Sequence, residues 1–179
     1  MQMDIFTFPF GLREFYARPD TSISEDTNFY APDGISGFLV IPFIYLKIDR
    51  AGKAIAKQFA PRHYSNCGHG IHICGTDEYS SASNKTEDFS YKKALYNSLD
   101  NSTFLSQTVK TEDFDFKKYA AAFDIGNFND SVEIVSNYMS LRSGDIIALE
   151  LAPIAKINVK THQNGEATTY GNLKISVIC

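Results

Sequence analysis

The side chains able to do metal or nucleophilic chemistry crowd between positions 63 and 77: His63, Cys67, His69, His72, Cys74 and Asp77. Imidazole and thiolate suit zinc and other borderline transition ions. On a strand, His72 and Cys74 would share one face, away from Ile71 and Ile73. The spacing argues the other way. There is no C-x-x-C or H-x-x-x-H framework, and Cys67-Gly68-His69 reads as a turn. Two readings of the segment stand: a transition-metal site, or a loop and strand whose polar side chains are satisfied within the protein.

Other chemistry is thinner. Lys92-Lys93 beside Tyr91 could hold a small anion such as a carboxylate, or could be solvated on a helical turn. Glu87-Asp88, Glu112-Asp113 and Asp115 lie in polar stretches and read as solvated faces. No G-x-S-x-G elbow, G-x-G-x-x-G turn or P-loop is present, so a serine-hydrolase nucleophile and a phosphate cradle have no sequence support.

The elements that must position these groups read mostly as strands. Phe6, Phe8 and Phe10 alternate with strand period, and Pro9 and Gly11 end the run. Residues 38–48 form the most hydrophobic segment and read as a buried strand. Pro42 inside it implies a sheet edge or a bulge, because proline cannot donate to the ladder. Residues 54–66 read as a short helix, 70–76 as a strand and 78–103 as a long polar loop with a helical turn near Tyr91–Leu95. Val132, Val135, Tyr138 and Met139 recur at helical spacing, with Asp130 or Ser131 able to cap the helix. Ser143-Gly144-Asp145 reads as a turn before a buried strand at 146–151. Residues 153–179 read as two strands around Asn164-Gly165, a dipeptide that favours a tight hairpin turn.

Composition agrees with a mostly β, α+β protein with one or two short helices. The chain has 179 residues, 44% hydrophobic and 21% charged, which suits a single domain over 1–179 and excludes a disordered chain or a coiled coil. Its 14 Phe and 10 Tyr suit strands and a contact surface. The net charge is −4 and no Lys/Arg run exceeds two, so nucleic acid is not an expected partner. The longest apolar stretch, Phe38–Leu46, is too short to span a bilayer. Three cysteines and no visible signal peptide lead to the expectation of reduced thiols in the cytoplasm.

One longer pattern adds a family. Arg18-Pro19-Asp20-Thr21, Phe29-Tyr30-Ala31-Pro32-Asp33, a strand, and then Ile48-Asp49-Arg50-Ala51-Gly52-Lys53 resemble the fumarylacetoacetate hydrolase family. Gly70-Ile71-His72-Ile73-Cys74-Gly75-Thr76-Asp77 is similar to an altered form of its N-D-x-S/T-A-R-D region, and Lys93-Ala94 to its active-site lysine segment. Met139-Ser140-Leu141-Arg142-Ser143-Gly144-Asp145-Ile146-Ile147 is similar to its T-L-x-P-G-D-x-I signature, the most specific of these matches. The resemblance covers roughly residues 15–179 and is shortened around 100–130. Residues 1–14 form a divergent N-terminal segment.

The resemblance implies a mixed β-roll or sandwich. It also implies hydrolysis, isomerisation or decarboxylation beside a keto acid group, with Mg²⁺ or Mn²⁺ held by two Glu and an Asp. Here those ligand positions fall on Ile41, Phe43 and His72. The arginine of A-R-D falls on Thr76, while Asp77 matches, and Lys93 remains. Hard divalent ions want oxygen ligands, so the expectation is loss of the metal, no cofactor and no catalytic residue. The chain is then a pseudoenzyme serving as a binding or assembly module. It would act as a homodimer or paired with an active relative, with a small anionic ligand as a further option. The alternative is an enzyme of the same type with a site rebuilt around His72, Asp77 and Lys93.

Overall fold

The computed structural model describes residues 3–77, 94–120, 124–163 and 167–179. Within these, the strands are β1 (Ile5–Phe8), β2 (Tyr16–Arg18), β3 (Asn28–Tyr30), β4 (Gly37–Ile48), β5 (Tyr64–Thr76), β6 (Thr103–Leu105), β7 (Val109–Lys110), β8 (Ile146–Glu150), β9 (Ala155–Asn158), β10 (Ala167–Tyr170) and β11 (Leu173–Ile178). Among the helices that accompany them are α1 (Phe116–Tyr119) and α2 (Gly126–Tyr138). The mostly β, α+β expectation is met. The chain gathers into two compact units, and the long strands β4 and β5 supply residues to both.

The first unit contains Met1–Asp20, Phe43–His69 and Ser106–Leu151. Its strands run in the order β2-β1-β8-β4-β5, and β7 pairs with β5. The N-terminal segment is therefore a sheet strand: β1 lies parallel to β8, with Ile5 opposite Ile146 and Phe8 opposite Leu149. Alternation sends Phe6 and Phe8 to one face with Ile44, Leu46, Ile48 and Ile147. Helix α2 covers that face with Phe128, Val132 and Val135, spaced one helical stripe apart.

The turn at 142–145 locks β1 to this sheet. Buried Asp145 accepts from Arg142 N at 2.7 Å and from Asp4 N at 3.1 Å, and Asp4 O accepts from Ile146 N at 2.9 Å.

Several expectations need correction here. The helix begins at Gly126, not beside Asp130 or Ser131; Asp124 Oδ1 accepts from Gly126 N at 2.8 Å, and Ser131 Oγ turns back to Asn127 O. Gly126-Asn127 is poor helix sequence, so packing of Phe128 sets the start. The helix expected at 54–66 is a 3₁₀ turn over Lys57–Arg62, and Tyr64 already begins β5.

The second unit contains Thr21–Pro42, Gly70–Leu105 and Ala152–Cys179. Here β4 pairs with β9, β5 pairs with β6, and a separate sheet has the order β10-β11-β3. Phe29 and Phe38 meet edge to face at 5.3 Å in a core with Val40, Ile71, Ile73, Phe104, Ile175 and Val177. Residues 153–179 hold three strands in place of the expected two. The described tight turn is Gly171-Asn172 between β10 and β11, where Gly171 has φ +61°. Asn164-Gly165 lies outside the described residues.

Pro42 marks a discontinuity in the β4 ladders. Opposite Phe43–Lys47 runs β8, with Phe43 facing Glu150. Opposite Gly37–Val40 runs β9, with Val40 facing Ala155. Four residues on one side therefore face Ile41 and Pro42 on the other, and the proline sits where no partner needs its missing N–H. Truncating the fully buried Phe128 to Ala should cost about 3–5 kcal/mol. Urea denaturation of Phe128→Ala should show this as a lowered midpoint with an unchanged slope.

Candidate functional site

The residues singled out by sequence fall into separate settings. Ile41 is 9% exposed and Phe43 0%. The Phe43 ring lies 6.0 Å from that of Tyr45. His72 is fully buried on β5, opposite Thr103 of β6, and its Nδ1 is 3.1 Å from Thr103 Oγ1. Thr103 Oγ1 in turn lies 3.2 Å from Ser22 Oγ, which makes a buried polar chain of three side chains within the second unit. Asp77 Oδ1 accepts from Tyr96 OH at 2.6 Å, and burial together with the Asp77 carboxylate pushes the Tyr96 phenol up to about 12. Lys93 lies outside the described residues, as do Tyr91 and Lys92.

The histidine and cysteine group is drawn out along one strand. His63 Nδ1 meets Arg50 O at 2.8 Å. His69 stacks on Tyr119 at 4.3 Å, and Tyr119 stacks on Phe114 at 5.0 Å. Cys67 and Cys74 are buried on β5. Among the described residues, no three His, Cys, Asp or Glu side chains gather as cation ligands. Ile41, Phe43 and His72 do not make a set of donors for a hard dication either. Isoleucine and phenylalanine offer no lone pair, and the His72 imidazole is engaged with Thr103.

A second constellation escaped the sequence reading. In the first unit, Tyr16, Thr7, Ala148 and Tyr45 stand side by side in one row across β2, β1, β8 and β4. Arg18 and Glu150 share their face but lie on opposite sides of that row, Arg18 beside Ile5 and Ile146 and Glu150 beside Phe43. This face is the reverse of the one that Phe6 and Phe8 pack; with the apolar Ile5, Ile146 and Phe43 it buries polar side chains too, Arg18 at 0% exposed and Thr7, Tyr45 and Glu150 also buried. Tyr16 OH donates to Glu150 Oε1 at 2.7 Å, and Tyr45 OH donates to Ser106 O at 2.7 Å. A guanidinium stays charged at every relevant pH, so its burial demands hydrogen-bond acceptors. One signal was present in the sequence: the same alternation that buries Phe6 and Phe8 must turn Thr7 the other way.

Burial also sets the acid–base behaviour here. Desolvation pushes the Tyr45 phenol up to about 12, and the Cys67 thiol up to about 11 against a lowering hydrogen bond from Thr111. The backbone at Gly68 leaves no room for a side chain, since a Cβ there would stand 2.7 Å from Tyr45 Cζ.

Both groups keep their protons longer in the folded chain than in the unfolded one. Their contribution to stability is complete below about pH 9 and is lost as pH rises through about 11 and then 12. Urea midpoints measured from pH 8 upward should fall beyond pH 9, and Tyr45→Phe should flatten the loss above pH 10.

No known family profile and no curated protein matches this sequence. Solved structures do resemble it. A Yersinia pestis CO92 protein assigned to the fumarylacetoacetate hydrolase family superimposes with a TM-score of 0.70 at 12% identity, over 99% of this chain and 93% of its own. The 5-carboxymethyl-2-hydroxymuconate delta-isomerase of Mycobacterium smegmatis gives 0.69 at 14% identity, over 98% and 77%. Maleylpyruvate hydrolase of Sphingobium sp. SYK-6 gives 0.66 at 10% identity, over 99% and 73%. The chain has the fumarylacetoacetate hydrolase-like fold, shared with hydrolases and isomerases. Among the described residues, no helix is long and apolar enough to cross a membrane.

Proposed function

We propose that this chain is a catalytically silent version of the fumarylacetoacetate hydrolase-like fold, working as a binding or assembly module without Mg²⁺ or Mn²⁺. The observation that carries the reading is the pair Ile41 and Phe43, buried where the motif register calls for two carboxylates. Seating a dication against two apolar side chains would cost many kcal/mol in unreplaced hydration. Burying the same two side chains contributes roughly 1.5–3 kcal/mol each. The exchange thus favours packing over chemistry. On this reading the module is cytoplasmic, and its partner is a second copy or an active relative, with a small anion as a further ligand.

A second reading draws on the names of the structural neighbours. In it, the chain is a hydrolase, isomerase or decarboxylase acting on a keto acid with a rebuilt site near His72, Asp77 and Lys93. It ranks second because His72 is bound to Thr103 and Asp77 to Tyr96, so neither presents a poised base.

Two measurements separate the readings. Acylpyruvate hydrolysis and oxaloacetate decarboxylation, assayed with MgCl₂, MnCl₂ or no added metal, should show no rate above the protein-free control. Measurable turnover would select the second reading. Calorimetric titration of the wild-type protein with MgCl₂ should give no binding heat. The triple variant Ile41→Glu, Phe43→Glu, His72→Asp should gain Mg²⁺ binding; a folded triple variant that binds none would show the motif register to be wrong.

A further inference from the structure

The connection from β4 to β5 carries charge opposite in sign to the whole. Between Lys47 and His63 it holds Lys47, Arg50, Lys53, Lys57 and Arg62 against Asp49 alone, in a chain of net charge −4. All five cations are exposed. The backbone of the first unit draws several of them to one end. His63 O accepts from Asp49 N at 2.8 Å and from Arg50 N at 3.3 Å, which sets Arg50 beside Arg62 and His63. Gly52 and Leu141 exchange hydrogen bonds at 3.0 and 2.8 Å, which brings Arg142 to the same end.

The nearby carboxylates are already engaged. Asp49 accepts from Ser65 Oγ, Asp130 pairs with Lys57 Nζ at 2.6 Å, and Glu133 accepts from Lys57 N at 3.0 Å. Among the described residues, no carboxylate pairs with Arg50, Lys53, Arg62 or Arg142.

The same connection borders a groove of about 520 Å³, lined by Ala56, Lys57, Gln58 and Pro61 with Asn129 and Glu133 of α2. Asn129 and Glu133 stand one helical turn apart on α2. Tyr64 OH donates to Asn129 Oδ1 at 2.7 Å, which leaves the Asn129 amide N–H groups as donors. At the rim, Phe59 is 42% exposed, and the Arg62 guanidinium lies 4.8 Å from the centre of its ring. The stacking holds the guanidinium in place without consuming its hydrogen bonds.

We propose that this end of the first unit is a docking surface for an extended acidic segment of a partner protein. Arg50, Lys53, Arg62 and Arg142 meet its carboxylates, the Gln58 and Asn129 carboxamides meet its backbone, and Phe59 meets an apolar side chain. A nucleic acid suits the surface less well. Phosphate tracking needs a basic stripe along the molecule, whereas these cations occupy one end of a chain that is otherwise acidic. The inference goes beyond the proposed function and holds whether or not the fold retains chemistry.

Fluorescence anisotropy tests it on the full chain. The probes are a labelled octapeptide of alternating Glu and Leu, a labelled single-stranded oligonucleotide, and vesicles containing anionic lipid. The peptide should bind tightest, with an affinity that falls as salt rises. Arg50→Glu with Arg62→Glu should weaken it about tenfold or more. Gln58→Ala with Asn129→Ala should weaken it with an unchanged salt dependence, a readout that charge alone would not give. Thermal melts check that each variant is folded, and Arg50→Gln with Arg62→Gln serves if the reversals fail to fold. Absence of peptide binding, equal binding by the folded charge variants, or tighter binding of the oligonucleotide or the vesicles overturns the proposal.

Discussion

The strand β4 is the constraint on which both units depend. It runs from Gly37 to Ile48, and Val40 through Leu46 are buried without interruption. A strand covered on both faces can carry few polar side chains, and each of its backbone groups needs a partner. Its first half feeds Phe38 and Val40 to one core, and its second half feeds Ile44, Leu46 and Ile48 to the other. Pro42 is tolerated because it falls where the pairing passes from β8 to β9. A proline two residues later, at Ile44, would break a ladder bond with β8.

This explains why Ile41 and Phe43 are consequential residues. They lie in a stretch of β4 buried from Val40 to Leu46, where any charged group requires compensation. A pair of carboxylates there would be held only by a cation or by donors brought to meet them. With two hydrocarbons in their place the strand needs no such help. The fold survives at 10–14% identity to the solved hydrolases and isomerases because the pattern of burial, not the reactive side chains, specifies it.

Local patterns in the sequence were legible where one residue's neighbours decide its state. The Phe6 and Phe8 alternation, the apolar run at 38–48, the Val132 and Val135 spacing and the turn at Ser143-Gly144-Asp145 each encode their element nearly alone. What failed depended on distant partners. The start of α2 is set by Phe128 reaching a sheet whose strands lie far along the chain. Tyr64, expected in a helix, is held in β5 by strand pairing and by its bond to Asn129. The polar face of Arg18, Thr7, Tyr16 and Glu150 exists only once β2, β1 and β8 are in register. No short window contains that information, so a buried arginine reads in sequence as an ordinary surface cation.

The parallel pairing of β1 with β8 also dictates the order in which the chain can assemble. During synthesis the fifth to eighth residues leave the ribosome early, yet their inner neighbour is residues 146–150. Asp4 likewise waits for Asp145. The other unit has the same delay, because Asn28–Tyr30 pairs with Ser176–Ile178. Neither unit can close its sheet until these distant partners emerge. Until then the nascent chain carries unpaired, aromatic-rich strand edges, and closing the two sheets has a high loop-closure cost.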